Sequence, residues 1–217
     1  MLFRSYINIT DSLSALAMVG TPSASGQTST GYKVVLSTAT CSTESSYSAS
    51  VPSGSAFASL NGDYKVCVEL SDDSGNKAYG ASPVIHVDTT APSFTSLALG
   101  TDTIDGYLSI SEHQATTALA GSLVATGYDL AEYAVATNAT TCNGSLSYGA
   151  MPLGNDSGIS VQGTSYKVCV KLTDTAGNTP AYGASGAFIA LLTAPSCSSV
   201  ALTNAASDGF RSEEHTS

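Results

Sequence analysis

Cysteine, aspartate with asparagine, and histidine are the residues whose types and spacing could do chemistry in this chain. The five cysteines fall into Cys41 with Cys67, Cys142 with Cys169, and Cys197 alone. The pair recurs at separations of 26 and 27 residues, which favours one disulfide inside each of two similar units. Free thiols on a strand surface are the other reading. Metal binding is disfavoured, because no second Cys or His stands at ligand spacing. Closing such a loop stabilises a fold by about 3 kcal/mol on chain-entropy reasoning, and disulfides of this kind imply an oxidising compartment and an exported protein.

Oxygen ligands gather around predicted turns: Asp72, Asp73 and Asn76, then Asp174 and Asn178, with Asp88, Asp102 and Asp105 between them. Hard oxygens are what Ca²⁺ needs, and six or more must converge. Carboxylates that cap their own turns produce the same pattern. Calcium is the one cofactor these residues could take, and stiffening the chain near Asp88 would be its role.

A catalytic constellation is missing. Leaving aside the tail, the histidines are His86 and His113, and neither recurs at the matching place in the other unit. No nucleophile elbow, zinc helix or phosphate loop is present. The adjacent pair Asp72 and Asp73 is matched by Asp174 and Thr175, so it is not repeated either. The reading is non-enzymatic. Asn8, Asn138, Asn143 and Asn155 each open an N-x-S/T triplet, a pattern that a Ser/Thr-rich chain produces by chance.

The elements that must carry these residues are short strands. "YKVCVELSDDSGNKAYGAS" from Tyr64 returns as "YKVCVKLTDTAGNTPAYGAS" from Tyr166, "TAPSFTSLAL" from Thr90 returns as "TAPSCSSVAL" from Thr193, and Tyr6 and Cys41 align with Tyr107 and Cys142. These matches define a repeat of about 102 residues, and a fixed period marks tandem units. In "YKVCVKLTD", Tyr166, Val168, Val170 and Leu172 alternate with Lys167, Cys169 and Lys171. Period two assigns the first set to a core face and the second to an outer face, so the disulfide should join neighbouring strands across one sheet. "SFTSLAL", "GYLSIS", "AEYAVAT" and "GAFIALL" are further strands, and "DTAGN" and "SGNKAYG" carry turn residues. Cys197 stands where Phe94 does and is expected in a core.

The Y-x-V-x-V…D-x-x-G-N pattern, followed by "VDTTAPS" at Val87, resembles the bacterial immunoglobulin-like domains found in tandem in large surface proteins and adhesins. The second junction, "LLTAPS", lacks the counterpart of Asp88. The resemblance implies all-β, tandem immunoglobulin-like β-sandwich domains and surface display, and it carries no catalytic residues to transfer.

On this reading residues 6–90 are a repeat lacking its first strand, 91–193 a complete repeat, and 194–210 the start of a third. Residues 1–5 and 211–217 fall outside the repeat. Read back through the codons GTG CTC TTC CGA TCT, "MLFRS" has a reverse complement that translates as "RSEEH", and that DNA resembles a common sequencing adapter. Both ends are therefore expected to be adapter-derived, the alternative being a native start and a native polar tail.

A net charge of −10 argues against nucleic acid and anionic lipid as partners, since both need a basic footprint. No apolar run approaches a membrane span of about 20 residues. The expected setting is extracellular or cell-surface. The expected partners are neighbouring repeats of the same chain and a host or cell-surface protein or glycan. The expected function is a stalk or spacer with a part in adhesion, and the alternative is an accessory or glycan-binding module of a secreted enzyme.

Overall fold

The computed structural model describes residues 6–14 and 17–200. Both terminal runs assigned above to adapter, and residues 201–210 of the third repeat, lie outside them.

The first repeat contributes β1 (Tyr6–Ile7), β2 (Ser29–Leu36), β3 (Gly62–Ser71), β4 (Lys77–Ala81) and β5 (Ile85–Val87). The second contributes β6 (Ser93–Leu99), β7 (Tyr107–Ser109), β8 (Ala120–Thr126), β9 (Leu130–Thr137), β10 (Ser165–Thr173), β11 (Ala181–Ala184) and β12 (Phe188–Leu191). In the first sheet β3 is central. It pairs along one edge with β2, and along the other with β4 at its end and β5 at its start, while β1 runs parallel to β5. The second sheet reproduces every one of these pairings with β10 at the centre and β9, β11, β12 and β7 around it.

The second repeat is a two-layer sandwich. β6 and β8 form their own antiparallel pair, and Leu97 of β6 joins Val168, Val170 and Leu172 of β10 in one core with Leu108, Leu119 and Phe188. The alternation read from β10 holds on this face: Val168, Val170 and Leu172 are all fully buried. The first repeat has a smaller core of Ile7, Tyr32, Phe57, Val66 and Val87. Its described residues include no strand in the place of β6, and Val68 and Leu70 are only half-buried where Val170 and Leu172 are enclosed.

Three expectations change. "GYLSIS" is not strand throughout. β7 stops at Ser109, and Ile110–His113 form a helical turn, α2, that matches α1 (Ile9–Ser12) in the first repeat. The cause is a reciprocal cap: Ser109 accepts from the Glu112 amide and Glu112 from the Ser109 amide, as Asn8 and Asp11 do in α1, and this satisfies donors that a short helix otherwise leaves open. Gly54 and Gly154 then pass so close to the carbonyls of Asp11 and Glu112 that neither has room for a Cβ.

Second, the disulfides do not join two strands. Cys67 and Cys169 lie on β3 and β10, but Cys41 opens a 3-10 turn and Cys142 lies in a loop, each in a segment that folds back over the outer face of its sheet. Both strand cysteines are consequently fully buried on the face that alternation assigns to the outside. Third, Cys197 is exposed, since the described residues offer no third sheet against which it could pack.

Candidate functional site

Each outer face is closed by the same set of contacts. Cys41 bonds Cys67 with a Cα separation of 5.4 Å, and Cys142 bonds Cys169 at 5.5 Å. Beyond the bond the loop is tied to the strand edge. The Tyr32 amide donates to the Ser48 carbonyl at 2.6 Å, and the Tyr133 amide to that of Gly149 at 2.7 Å. Tyr47 then packs on Tyr79 with ring centres 6.1 Å apart, and Tyr148 on Tyr182 at 5.8 Å. The Tyr47 hydroxyl donates to the Cys41 carbonyl at 2.6 Å. Burial pushes both loop phenols up, with Glu69 adding to the effect at Tyr47 and Tyr182 at Tyr148. These tyrosines are the aromatic residues that a glycan-binding loop would present, and both are spent on clamping the loop to its own sheet.

The most developed polar site lies between the repeats. Asp174 closes the "DTAGN" turn by accepting from the Gly177 amide at 2.7 Å, the Asn178 amide at 2.9 Å and the Asn178 side chain at 2.9 Å. Gly177 supplies the turn's left-handed residue, with φ +82°, a conformation that glycine adopts without steric cost. The turn presents Asn178 to the first repeat. Its Oδ1 accepts from the Ile9 amide at 2.8 Å, and its Nδ2 donates to the carbonyls of Asp88 at 3.0 Å and Thr90 at 3.4 Å.

Asn8 answers from the other side. Its Oδ1 caps α1 by accepting from the Asp11 amide at 2.9 Å, which leaves Nδ2 free to donate to the Ala176 and Gly177 carbonyls at 3.1 and 3.3 Å. Asn178 and Asn8 are both buried, 3% and 6% exposed, and buried amides left unpaired are costly.

The remaining oxygen ligands serve their own loops. Asp72 accepts from the Ser74 and Asn76 amides and from the Asn76 side chain. These bonds, the Asn76 side chain foremost, hold its carboxyl below the usual range. Asp88 accepts from the Thr90 amide, Asp102 from the Thr101 hydroxyl, and Asp105 from the Tyr107 amide. Asp73 is next to Asp72 in the same turn. No three His, Cys, Asp or Glu side chains converge among the described residues. What does converge is a mixed set: Asp88 O, Thr90 O and an Asp174 carboxylate oxygen all lie within 3.4 Å of Asn178 Nδ2.

The histidines part company. His113 Nε2 lies 2.8 Å from the Ile159 carbonyl. His86 Nδ1 lies 2.5 Å from Asp63 across the β3–β5 pair, with both side chains open to solvent in a shallow depression that includes Asp88 and Thr90. The described hydrogen bond of the His86 ring is to the Asp63 carboxylate.

Asn8 and Asn178 are the residues that sequence reading did not assign to a joint. Asn8 was visible only as the start of an N-x-T triplet, and Asn178 only as a turn residue and candidate calcium ligand. The available signal was the N-x-x-D cap at Asn8, which marks a helix start but not a contact.

No family model matches this sequence, and no curated protein does. Among solved structures the chain is similar to one described as a Ca²⁺-stabilized adhesin that helps an Antarctic bacterium reach out and bind ice. The TM-score is 0.40 at 18% identity, over 86% of this chain and 46% of the other. This chain thus spans under half of that one.

Proposed function

We propose that these residues are tandem immunoglobulin-like sandwiches of an extracellular surface protein, and that they act as a stalk that holds other domains at a distance. The observation that carries the reading is the Asn178–Asn8 joint. It is heterologous: the turn after β10 of one repeat meets the cap of α1 and the end of β5 of the other. β3 and β5 run antiparallel, so a repeat carries its turn at one end and its cap at the other. Each unit therefore offers both halves of the joint, and heterologous contacts of this kind propagate into open stacks.

Asn76 presents the equivalent turn on the first repeat, and Ser109 caps α2 on the second, without the side-chain amide that Asn8 donates across the joint. Replacing Asp88 by its counterpart Leu191 does not remove the acceptor, because Asn178 takes the main-chain carbonyl. Two disulfides fit an oxidising, extracellular setting. Adhesion enters through whatever the stack displays, since the loop tyrosines are already engaged.

The test is length. Concatemers of two, four and eight copies of residues 91–193, examined by small-angle X-ray scattering, should give a maximum dimension that grows in proportion to copy number. Growth that follows the cube root of mass would mean the units collapse on one another and would overturn the stalk.

Calcium belongs to the same joint. An ion there would compete with the Asn178 amide for Asp88 O, Thr90 O and Asp174, so its effect should be read as a change in melting temperature between calcium and chelator. No change, in a protein whose joint is intact, would rule this role out.

A further inference from the structure

Two asparagines in the chain directly precede a glycine, Asn61 and Asn143. The order matters chemically, because a following residue without a side chain leaves its backbone nitrogen open to the asparagine side chain. The structure treats the two pairs differently. Asn143 and Gly144 are exposed in the loop that folds over Cys169, directly after the bonded Cys142. Asn143 Oδ1 accepts twice from one residue, from the Ser145 amide at 2.9 Å and from the Ser145 hydroxyl at 2.5 Å. Packing explains the glycine: a Cβ on residue 144 would lie 3.1 Å from the Tyr182 hydroxyl.

Asn61 is placed otherwise. Its side-chain amide donates to the Thr90 hydroxyl at 3.5 Å, and Gly62 belongs to β3, opposite Val87 of β5. Bringing the Gly62 nitrogen onto the Asn61 side chain would pull the first residue of a strand away from its neighbour. Asp105 also precedes a glycine, but the Gly106 amide is committed to the Thr103 carbonyl at 2.9 Å. In the first repeat Ser42 holds the place of Asn143.

We infer that Asn143 is a site of self-modification, at which the chain converts this asparagine to aspartate and isoaspartate with water as the co-reactant. Hydroxide takes the proton of the Gly144 amide, the nitrogen's electron pair forms a bond to Asn143 Cγ, and the carbonyl electrons move to Oδ1. The two Ser145 donors face that oxygen, and donors aimed at developing negative charge lower a barrier. As the oxyanion collapses, the bond from Cγ to Nδ2 breaks, and Nδ2 takes a proton from water and leaves as ammonia. Water then opens the cyclic imide at either carbonyl, and nothing is oxidised or reduced. Attacking and attacked groups are neighbours in one loop, which supplies the proximity. Aspartate here keeps the Ser145 bonds in charge-assisted form. Isoaspartate lengthens the main chain by one carbon, between the disulfide and the Tyr133–Gly149 bonds that fix the loop. The second repeat thus carries a mark of elapsed time on the face that its loop closes. This inference does not depend on the stalk role.

The experiment ages the full 217-residue chain, disulfides intact, in water enriched in heavy oxygen, both folded and in denaturant. Peptide mass mapping then follows each asparagine. In denaturant the two Asn-Gly pairs should react at similar rates. In the folded chain Asn143 should react about tenfold or more faster than Asn61, with one heavy oxygen entering each product. The rate should rise with pH, because the attacking amide must lose its proton. Ser145→Ala should slow the folded protein's reaction by about threefold to tenfold, less than the loss of a donor in a water-excluded site, and leave the rate in denaturant nearly unchanged. Ser145→Thr, which keeps the hydroxyl, should restore the parent rate. An Asn143 that keeps its amide, or that reacts no faster than Asn61 in the folded chain, overturns the assignment. So does a folded rate that Ser145→Ala leaves unchanged.

Discussion

The side chain of Asn178 accepts from the backbone amide of Ile9 at 2.8 Å, across 169 residues of chain. The bond joins the second repeat to the first, and the same side chain also donates to the Asp88 carbonyl. Asn178→Ala removes these bonds and leaves the part-buried Ile9 amide without its partner, which costs about 1 kcal/mol. The variant should keep both cores folded and lose the fixed angle between repeats, read as a broader distribution of sizes in small-angle scattering. Asn8→Ala should act on the same joint and also remove a helix cap. Because both residues hold one turn, a double-mutant cycle should return coupling energy. Additive effects would mean the two sides act separately.

The joint shows where sequence reading ran out. β10 was legible because its period-two pattern reports a local geometry. The outer face was misjudged because the same pattern does not say what lies above Cys169, and the covering loop comes from a segment about 27 residues earlier. The helical turn at Ile110–His113 was legible in principle from the spacing of Ser109 and Glu112, yet the apolar alternation of "YLSI" masked it. Asn178 could not be placed on the first repeat at all, because a contact between repeats leaves no periodicity in either one.

Reducing the disulfides should loosen the covered faces without opening the cores. Removing Cys41 and Cys67 together releases a loop with a sequence separation of 26. The chain-entropy cost is about 3 kcal/mol. Denaturant unfolding should show the loss in the first repeat alone, and Tyr47 and Tyr79 should become accessible to a solution quencher. A midpoint unchanged on substitution would mean that the Tyr47 clamp and the bond between Tyr32 and Ser48 suffice.

Acid should weaken the turn that builds the joint. The Asp129 carboxylate accepts from the hydroxyl and amide of Thr175 at 2.6 and 2.7 Å. The hydroxyl foremost, then the amide, holds its carboxyl below the usual range. With the folded value depressed, its stabilisation is present above the unfolded carboxylate value, around pH 4, and is lost as pH falls through the folded value. Asp129→Asn should therefore melt below the parent protein at pH 6, and the gap should close as pH falls below 4. A gap that persists into strong acid would show that the Asn change acts through packing instead of charge.

Gly154→Ala should destabilise the second repeat and largely spare the first. The glycine passes against the Glu112 carbonyl, which is part of α2 and fixed by the Ser109–Glu112 cap, so an added methyl has no flexible neighbour to displace. Overpacking against fixed backbone costs about 1–3 kcal/mol. Because Leu119 and Ile159 lie in the core of the second repeat alone, calorimetry should resolve two transitions, with the second repeat melting earlier. The first repeat should shift only by what it loses at the joint. Gly54→Ala, against the Asp11 carbonyl, should reverse the order. If either substitution lowers both transitions equally, the two sandwiches fold as one cooperative unit, and a stack of them would unfold together instead of one link at a time.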